Sequence, residues 1–282
     1  MIDKEKNEVG PSAVPDHRPC PMCGATIAVA SRKCAWCGEN LAASDTPKKG
    51  FMGCFTVLSV LGIGAVLVAL MLPAVRRGGG EAARRSQCKN NLKQIALALY
   101  NYETDYHALP PAYTVDADGK PLHSWRTLIL PYLDQRPLYE TIDLSKPWDD
   151  PANAEALKTG LSVFHCPSDS CPKNHTTYLA SAASNGCFRL TETRLLSEIT
   201  DGLSETLMVI EVPSDRSVPW MSPKDADERL VMSIGPESKL AHAGGTQAAL
   251  CDGSVRFLSV AIPAATRRAL ISIAEGDKAG DF

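Results

Sequence analysis

Cys88-Lys89-Asn90-Asn91-Leu92-Lys93-Gln94-Ile95-Ala96-Leu97-Ala98-Leu99-Tyr100-Asn101-Tyr102-Glu103-Thr104-Asp105-Tyr106 decides how the larger part of this chain folds. Cys88, Leu92, Ile95, Leu99, Tyr102 and Tyr106 recur at spacings of four, three, four, three and four. That is one apolar stripe on a helix running to about Asp105, while Arg85, Lys89, Lys93 and Glu103 face elsewhere. Leu109-Pro110-Pro111 stops it. A helix with one apolar stripe needs a surface to cover, and the sequence downstream supplies strands.

From Trp125 on, short apolar runs alternate with turn signals, the pattern of an α+β domain rich in antiparallel strands. Thr206–Val212 reads as a buried strand introduced by the Asp201-Gly202 turn. Thr246–Cys251 and Val255–Val260 flank Asp252-Gly253-Ser254, a hairpin signal for which a type I′ turn with positive φ at both central residues is expected. Pro263–Ile271 reads as a closing helix, and residues 275–282 as a polar tail.

Upstream, Gly78-Gly79-Gly80 is expected to interrupt the helix before Glu81 restarts it. Between Lys49 and Arg76 there is no charged residue, and residues 51–75 are long and apolar enough to cross a bilayer. The segment begins far from Met1, behind another module, unlike a cleaved signal peptide. Residues 1–17 read as a disordered N-terminus, 42–50 as a polar linker and 81–274 as one domain. The expected product is a single-pass membrane protein with its N-terminus cytoplasmic and its C-terminal domain outside. Flanking charge alone, with Arg76, Arg77, Arg84 and Arg85 after the span, argues for the reverse. Reduced thiolates belong in the cytosol, however, and long C-terminal domains translocate largely regardless of charge.

Those thiolates are Cys20, Cys23, Cys34 and Cys37, two Cys-x2-Cys pairs each followed by a glycine, Gly24 and Gly38. The pattern is that of a zinc ribbon over residues 18–41 holding one structural Zn2+, too short to bury a core without the ion. Two disulfides are the alternative. Arg18, Arg32 and Lys33 are the only basic residues nearby, and the whole chain of 282 residues carries a formal net charge of −3, so nucleic acid is not favoured as a partner.

The sequence also resembles a known family. Leu70-Met71-Leu72-Pro73-Ala74-Val75 and the run from Glu81 to Ile95 look like the start of a bacterial pseudopilin-like family of unknown function (domain of unknown function 1559). The resemblance continues through Ser124-Trp125-Arg126, Leu130-Pro131-Tyr132-Leu133, Leu138-Tyr139, Pro147-Trp148-Asp149, Cys166-Pro167-Ser168-Asp169, Thr200-Asp201-Gly202 and Pro219-Trp220. It closes on His242 and Asp252-Gly253, a His-x9-Asp-Gly motif. It implies a type IV pilin-like N-terminal helix packed on an antiparallel sheet outside the bacterial inner membrane, with no enzymatic activity. Were Gly50-Phe51 the processing site, the fifth residue would be Phe55 rather than the glutamate of pilin assembly, so an uncleaved, tethered relative is expected.

Cys88, Cys166, Cys171, Cys187 and Cys251 fall on the exported side, where pairs are expected, and Cys54 falls in the span. Spacing does not fix the connectivity. The resemblance favours Cys88–Cys166, with Cys171–Cys187 next and Cys251 left over. A second metal site using His165 and His175 beside Cys166 and Cys171, or a calcium site at Asp201 or Asp252, are minor alternatives. His242, Asp252 and Ser254 invite a hydrolase reading, but no nucleophile elbow or oxyanion-hole loop accompanies them. Asp252 is explained by its turn, Ser254 by the strand it starts, and His242 by local hydrogen bonding. Partners are therefore expected to be proteins, met through the ribbon in the cytosol or through the outer domain in a surface assembly.

Overall fold

The structure, a computed structural model, describes residues 17–38, 40–41, 80–276 and 279–280. The chain divides into two compact units, Met1–Ala69 and Leu70–Phe282. The apolar segment 51–75 and the linker 42–50 lie outside the described residues, as do Gly78 and Gly79. Among the described residues no helix is long and apolar enough to cross a membrane.

In the first unit, β1 (His17–Pro19) pairs antiparallel with β2 (Thr26–Ala28). Cys20, Ile27, Cys34 and Leu41 are its small buried cluster. Four side chains cannot hold such a module closed by burial alone.

The second unit is α+β. Residues 80–106 are helical (α1), and Gly80 is already part of that helix rather than a break in it. β3 (Tyr113–Val115) and β4 (Pro121–Ser124) form a ribbon, followed by the short helices α2 (Trp125–Leu128), α3 (Arg136–Tyr139) and α4 (Ala154–Lys158). β5 (His175–Thr176) pairs with β8 (Val218–Pro219). The main sheet has the order β10-β9-β7-β6, all antiparallel. Its strands are β6 (Tyr178–Ala180), β7 (Leu207–Glu211), β9 (Gly245–Leu250) and β10 (Val255–Ser259). Two helices, α5 (Glu228–Ser233) and α6 (Ala264–Ile271), complete the chain order.

The alternation of side chains along the strands sorts them onto two faces. Tyr178, Ala180, Val209, Ala249 and Val255 share one core with Leu92, Ile95 and Leu99 of α1. Leu179, Leu207, Ile210, Ala248 and Leu250 share the other with Val231, Ala269 and Leu270 from α5 and α6. The sheet is thus covered on both sides, which is why β7 and β9 read as continuous buried runs. The α1 stripe is wider than its six sequence positions, since Asn91, Ala96 and Ala98 are buried as well, and Tyr106 leaves it. Tyr106 is 62% exposed, stacked on Tyr102 at a centroid distance of 4.3 Å.

Two local expectations change. The β9–β10 hairpin forms, but only Gly253 of its turn has positive φ (79°), and Asp252 does not. The Gly253 amide bonds to the Leu250 carbonyl and the Leu250 amide to the Ser254 carbonyl, so the loop is a three-residue turn ending in a left-handed glycine rather than type I′. The segment after Ser272 is not simply a solvated tail. Asp201 accepts hydrogen bonds from the Glu275 and Gly276 amides at 2.9 and 2.8 Å, and Ala279 is buried.

Behind α2 lies a network absent from any periodicity argument. Arg126 is fully buried and meets Asp225 at 2.6 Å, while donating to the Tyr178 carbonyl and to Ser124 Oγ. Asp225 also accepts from the Trp125 indole and the Ala180 amide, so it ties α2 to the edge of the main sheet.

Leu92→Ala should destabilise the second unit by about 2–5 kcal/mol, whereas Leu97→Ala, on the exposed face, should change it by less than ~0.5 kcal/mol. Arg126→Met, which strands a buried carboxylate, should cost about 3–5 kcal/mol. Denaturant unfolding of the three variants checks the ranking.

Candidate functional site

Two groups of ligand-type side chains are assembled among the described residues, one in each unit.

The first is the ribbon. Cys20 and Cys23 end a turn closed by the Gly24 amide on the Cys20 carbonyl; Cys34 and Cys37 end its twin, closed by the Gly38 amide on the Cys34 carbonyl. Gly24 and Gly38 have φ of 73° and 74°, the left-handed geometry that a side chain resists. The two turns bring Cys20 Sγ to 3.8 Å from Cys37 Sγ, and Cys23 Sγ to 3.8 Å from Cys34 Sγ. A tetrahedral ion with sulfur at about 2.3 Å requires thiolates about 3.8 Å apart, so these separations are those of ligands and not of disulfides. The Cys34 thiol is lowered to about 6 by the backbone amides of Cys37 and Trp36, which favours the ligating thiolate. The residues present therefore fit a metal ion in a closed four-sulfur site.

The second group is buried against the main sheet: Cys88, Cys166, Glu211 and His242, with one ligand atom from each lying within 4.8 Å of the others. Each comes from a different part of the fold. Cys88 is on the buried stripe of α1, and Glu211 ends β7, its side chain on the α1 face. Cys166 follows a turn held by Asn91, whose amide donates to the Ser162 and His165 carbonyls at 3.0 Å each. His242 sits in the loop entering β9, bridged to Gly245.

The contacts form a circuit. Cys88 Sγ donates to Glu211 Oε1 at 3.3 Å and accepts from the Tyr178 hydroxyl at 3.1 Å. His242 Nε2 lies 3.5 Å from Cys166 Sγ and 3.8 Å from Glu211 Oε2. Its other nitrogen, Nδ1, is 2.9 Å from Glu81 Oε1. Glu81 is held in turn by Arg84 and by Ser168 Oγ. Burial, with the charge of Cys166 beside it, lifts the Glu211 carboxyl to about 8. Burial works against a charged His242, but its hydrogen bonds to Cys166 and Glu81 outweigh that and raise it to about 9. The hydrogen bond between the two cysteines raises Cys88 and lowers Cys166.

Residues 79–183 match the family described as a protein of unknown function (DUF1559). Over that segment the chain is similar to the DUF1559 family. No curated protein and no solved structure matches the chain. The DUF1559 segment contains Glu81, Cys88, Cys166 and Tyr178, whereas Glu211 and His242 lie beyond it.

The expected bridges are not formed: Cys88, Cys166, Cys171 and Cys187 are all free thiols. Cys88 and Cys166 do meet, but as two corners of the four-residue group. Cys171 does not meet Cys187, whose neighbour is Cys251 at 3.1 Å, beyond bonding distance. His165 and His175 join no ligand group among the described residues: His165 Nε2 contacts the Cys171 carbonyl and His175 Nδ1 contacts Ser217 Oγ. Asp201 is used by the 272–276 segment. Asp252 Oδ1 accepts the Ser254 amide at 2.8 Å inside its turn. Neither Asp252 nor Ser254 is among the hydrogen-bonded partners of the His242 ring. Glu211 escaped sequence reasoning, although one signal was available: it is the single charge inside the apolar run 206–212.

If the ribbon holds an ion, a chelator should raise the alkylation rate of the exposed Cys23 and Cys37 several-fold, together with that of Cys20 and Cys34. Peptide mapping after a timed iodoacetamide pulse measures it.

Proposed function

We propose that this chain is a non-enzymatic, membrane-anchored, pseudopilin-like structural or interaction protein of the bacterial inner membrane. In this reading residues 51–75 span the membrane, the ribbon holds one Zn2+ on the cytosolic side, and the second unit stands outside. The observation that carries it is the burial of α1, through Cys88, Leu92, Ile95 and Leu99, in the core shared with one face of a four-stranded antiparallel sheet. That is the packing a pilin-like subunit uses, and α1 follows closely on the apolar segment 51–75. Zinc is chosen over other ions because four thiolates in a closed tetrahedron suit it best.

A second reading is favoured by the ribbon surface. Met22, Val29 and Trp36 are 72%, 49% and 82% exposed on a module of this size. An aromatic side chain so placed suits protein docking, which would make the chain a tethered adaptor whose ribbon meets a cytosolic partner.

The covalent mass of the protein extracted from its own membranes tests the uncleaved, tethered form on which both readings depend. A full-length mass, with Cys23 and Cys37 protected from a membrane-impermeant thiol reagent in intact cells, is the expected outcome for a tethered protein with its ribbon inside. A mass beginning at Phe51 makes the ribbon a discarded leader and excludes the adaptor. Labelling of the ribbon cysteines from outside overturns the orientation.

A further inference from the structure

The strand β7 poses a problem that its neighbours do not. Glu211 is 2% exposed and continues the run Leu207-Met208-Val209-Ile210 in the middle of the sheet. A carboxylate taken out of water needs a compensating charge, at a cost of several kcal/mol if none is present. The same molecule solves this problem conventionally elsewhere: buried Asp225 is met by Arg126 at 2.6 Å. Glu211 instead meets Cys88, the Gln247 amide, Cys166 and His242, none of them an arginine or lysine.

That partner set is a ligand set. Sulfur at about 2.3 Å and nitrogen or oxygen at about 2.0–2.1 Å from a tetrahedral ion place unlike ligands about 3.3–3.6 Å apart. Cys166 Sγ to His242 Nε2 is 3.5 Å, Cys88 Sγ to Glu211 Oε1 is 3.3 Å, and His242 Nε2 to Glu211 Oε2 is 3.8 Å. The surroundings have the form that metal sites require. His242 presents Nε2 to the group while Nδ1 is held by Glu81, the carboxylate–histidine pairing that fixes the tautomer of a ligating imidazole. Tyr178 donates to Cys88 Sγ and the Gln247 amide to Glu211 Oε2, each placing a donor on an atom that becomes anionic when ligated. A groove of about 370 Å³ lined by Gln87, Asn91, Leu161, His165 and Pro167 opens beside the two cysteine-bearing segments, which is where an ion would approach.

We propose that Cys88, Cys166, Glu211 and His242 form a second metal site, a closed structural centre for a zinc ion that fastens α1 and the two loops to the sheet. Two thiolates, one imidazole and one carboxylate are a donor set suited to zinc. All four positions are filled by the protein and all four residues are buried, so no coordination position is left for substrate. Binding releases to solvent the protons held on the sulfurs, on the Glu211 carboxyl and on His242 Nε2, leaving a neutral imidazole whose remaining proton on Nδ1 faces Glu81. The site uses neither of the histidines that flank Cys166 and Cys171 in sequence.

The test is metal content of the full-length chain purified in detergent without chelator or added metal. Two zinc ions per chain are expected. The ribbon-null chain Cys20→Ser/Cys37→Ser leaves the buried set intact and should retain one, and adding His242→Ala should remove it. Cobalt supplied to the ribbon-null chain should give the visible bands of a tetrahedral ion and thiolate charge transfer, a readout that stands even if the His242→Ala chain does not fold. A ribbon-null chain that holds no zinc and gives no cobalt bands overturns the proposal. So does recovery of a Cys88–Cys166 disulfide in the native protein, or retention of the second ion in a folded His242→Ala chain.

Discussion

Glu211 is the constraint around which the second unit is arranged. A strand of pure Leu, Met, Val and Ile would sit in this sheet with no instruction about what must cover it. A carboxyl in the same place restricts the cover sharply, because every group approaching it has to donate a proton, bring a positive charge or share a ligand. The fold responds by sending three separate segments to one point: α1 with Cys88, the turn after residue 161 with Cys166, and the loop before β9 with His242. Asn91 serves the same end indirectly, since its two bonds to the Ser162 and His165 carbonyls fix the turn from which Cys166 emerges.

The Arg126–Asp225 pair is the instructive comparison. There the charge is met by fixed donors: guanidinium, indole and backbone amide all converge on Asp225 Oδ1, leaving only Oδ2 without a hydrogen bond, and Arg126 gives its remaining donors to Tyr178, Ser124 and neighbouring carbonyls. Removing either partner leaves a charge that nothing else can satisfy. Around Glu211 the available partners are themselves titratable, so without an ion the group must share protons among sulfur, imidazole and carboxyl. Such a cluster is a costly way to hold a core together, whereas the same atoms around a dication are a strong one.

Much of this fold was legible in the residues. The α1 stripe, the buried strand around 207–211, the hairpin at 252–254 and the closing helix follow from period and turn chemistry, which are local properties. What was not legible depended on contacts between distant segments. Tyr106 has the right spacing for the stripe but falls where the helix runs past the core. The turn at Asp252-Gly253 carries a strong type I′ dipeptide, yet the bond from Gly253 back to Leu250 places the positive φ on the glycine alone. The ribbon could be read because its ligands are close in sequence and repeat. The buried set could not, since its members stand at 88, 166, 211 and 242, and no spacing rule links them. The second expected pair, Cys171 with Cys187, had no spacing rule behind it, and the sheet brings Cys251 to Cys187 instead.

The position of the polar contacts on α1 explains why this helix needs them. An apolar stripe on an apolar sheet face is bound firmly but without a preferred register, because sliding by one turn exchanges one aliphatic contact for another. Two polar anchors remove that freedom. Near one end Cys88 meets Glu211 and Tyr178, and further along the Tyr100 hydroxyl donates to the Cys251 carbonyl. Twelve residues of helix separate them, about 18 Å at 1.5 Å per residue. A slip of one turn, about 5.4 Å, would break both at once and leave Glu211 facing a side chain unable to answer it. The apolar burial thus supplies the strength of the contact and the polar pair supplies its register. Of the two anchors, the one at Cys88 is built from the residues that can also close on an ion, which would make the register of α1 depend on whether that ion is bound.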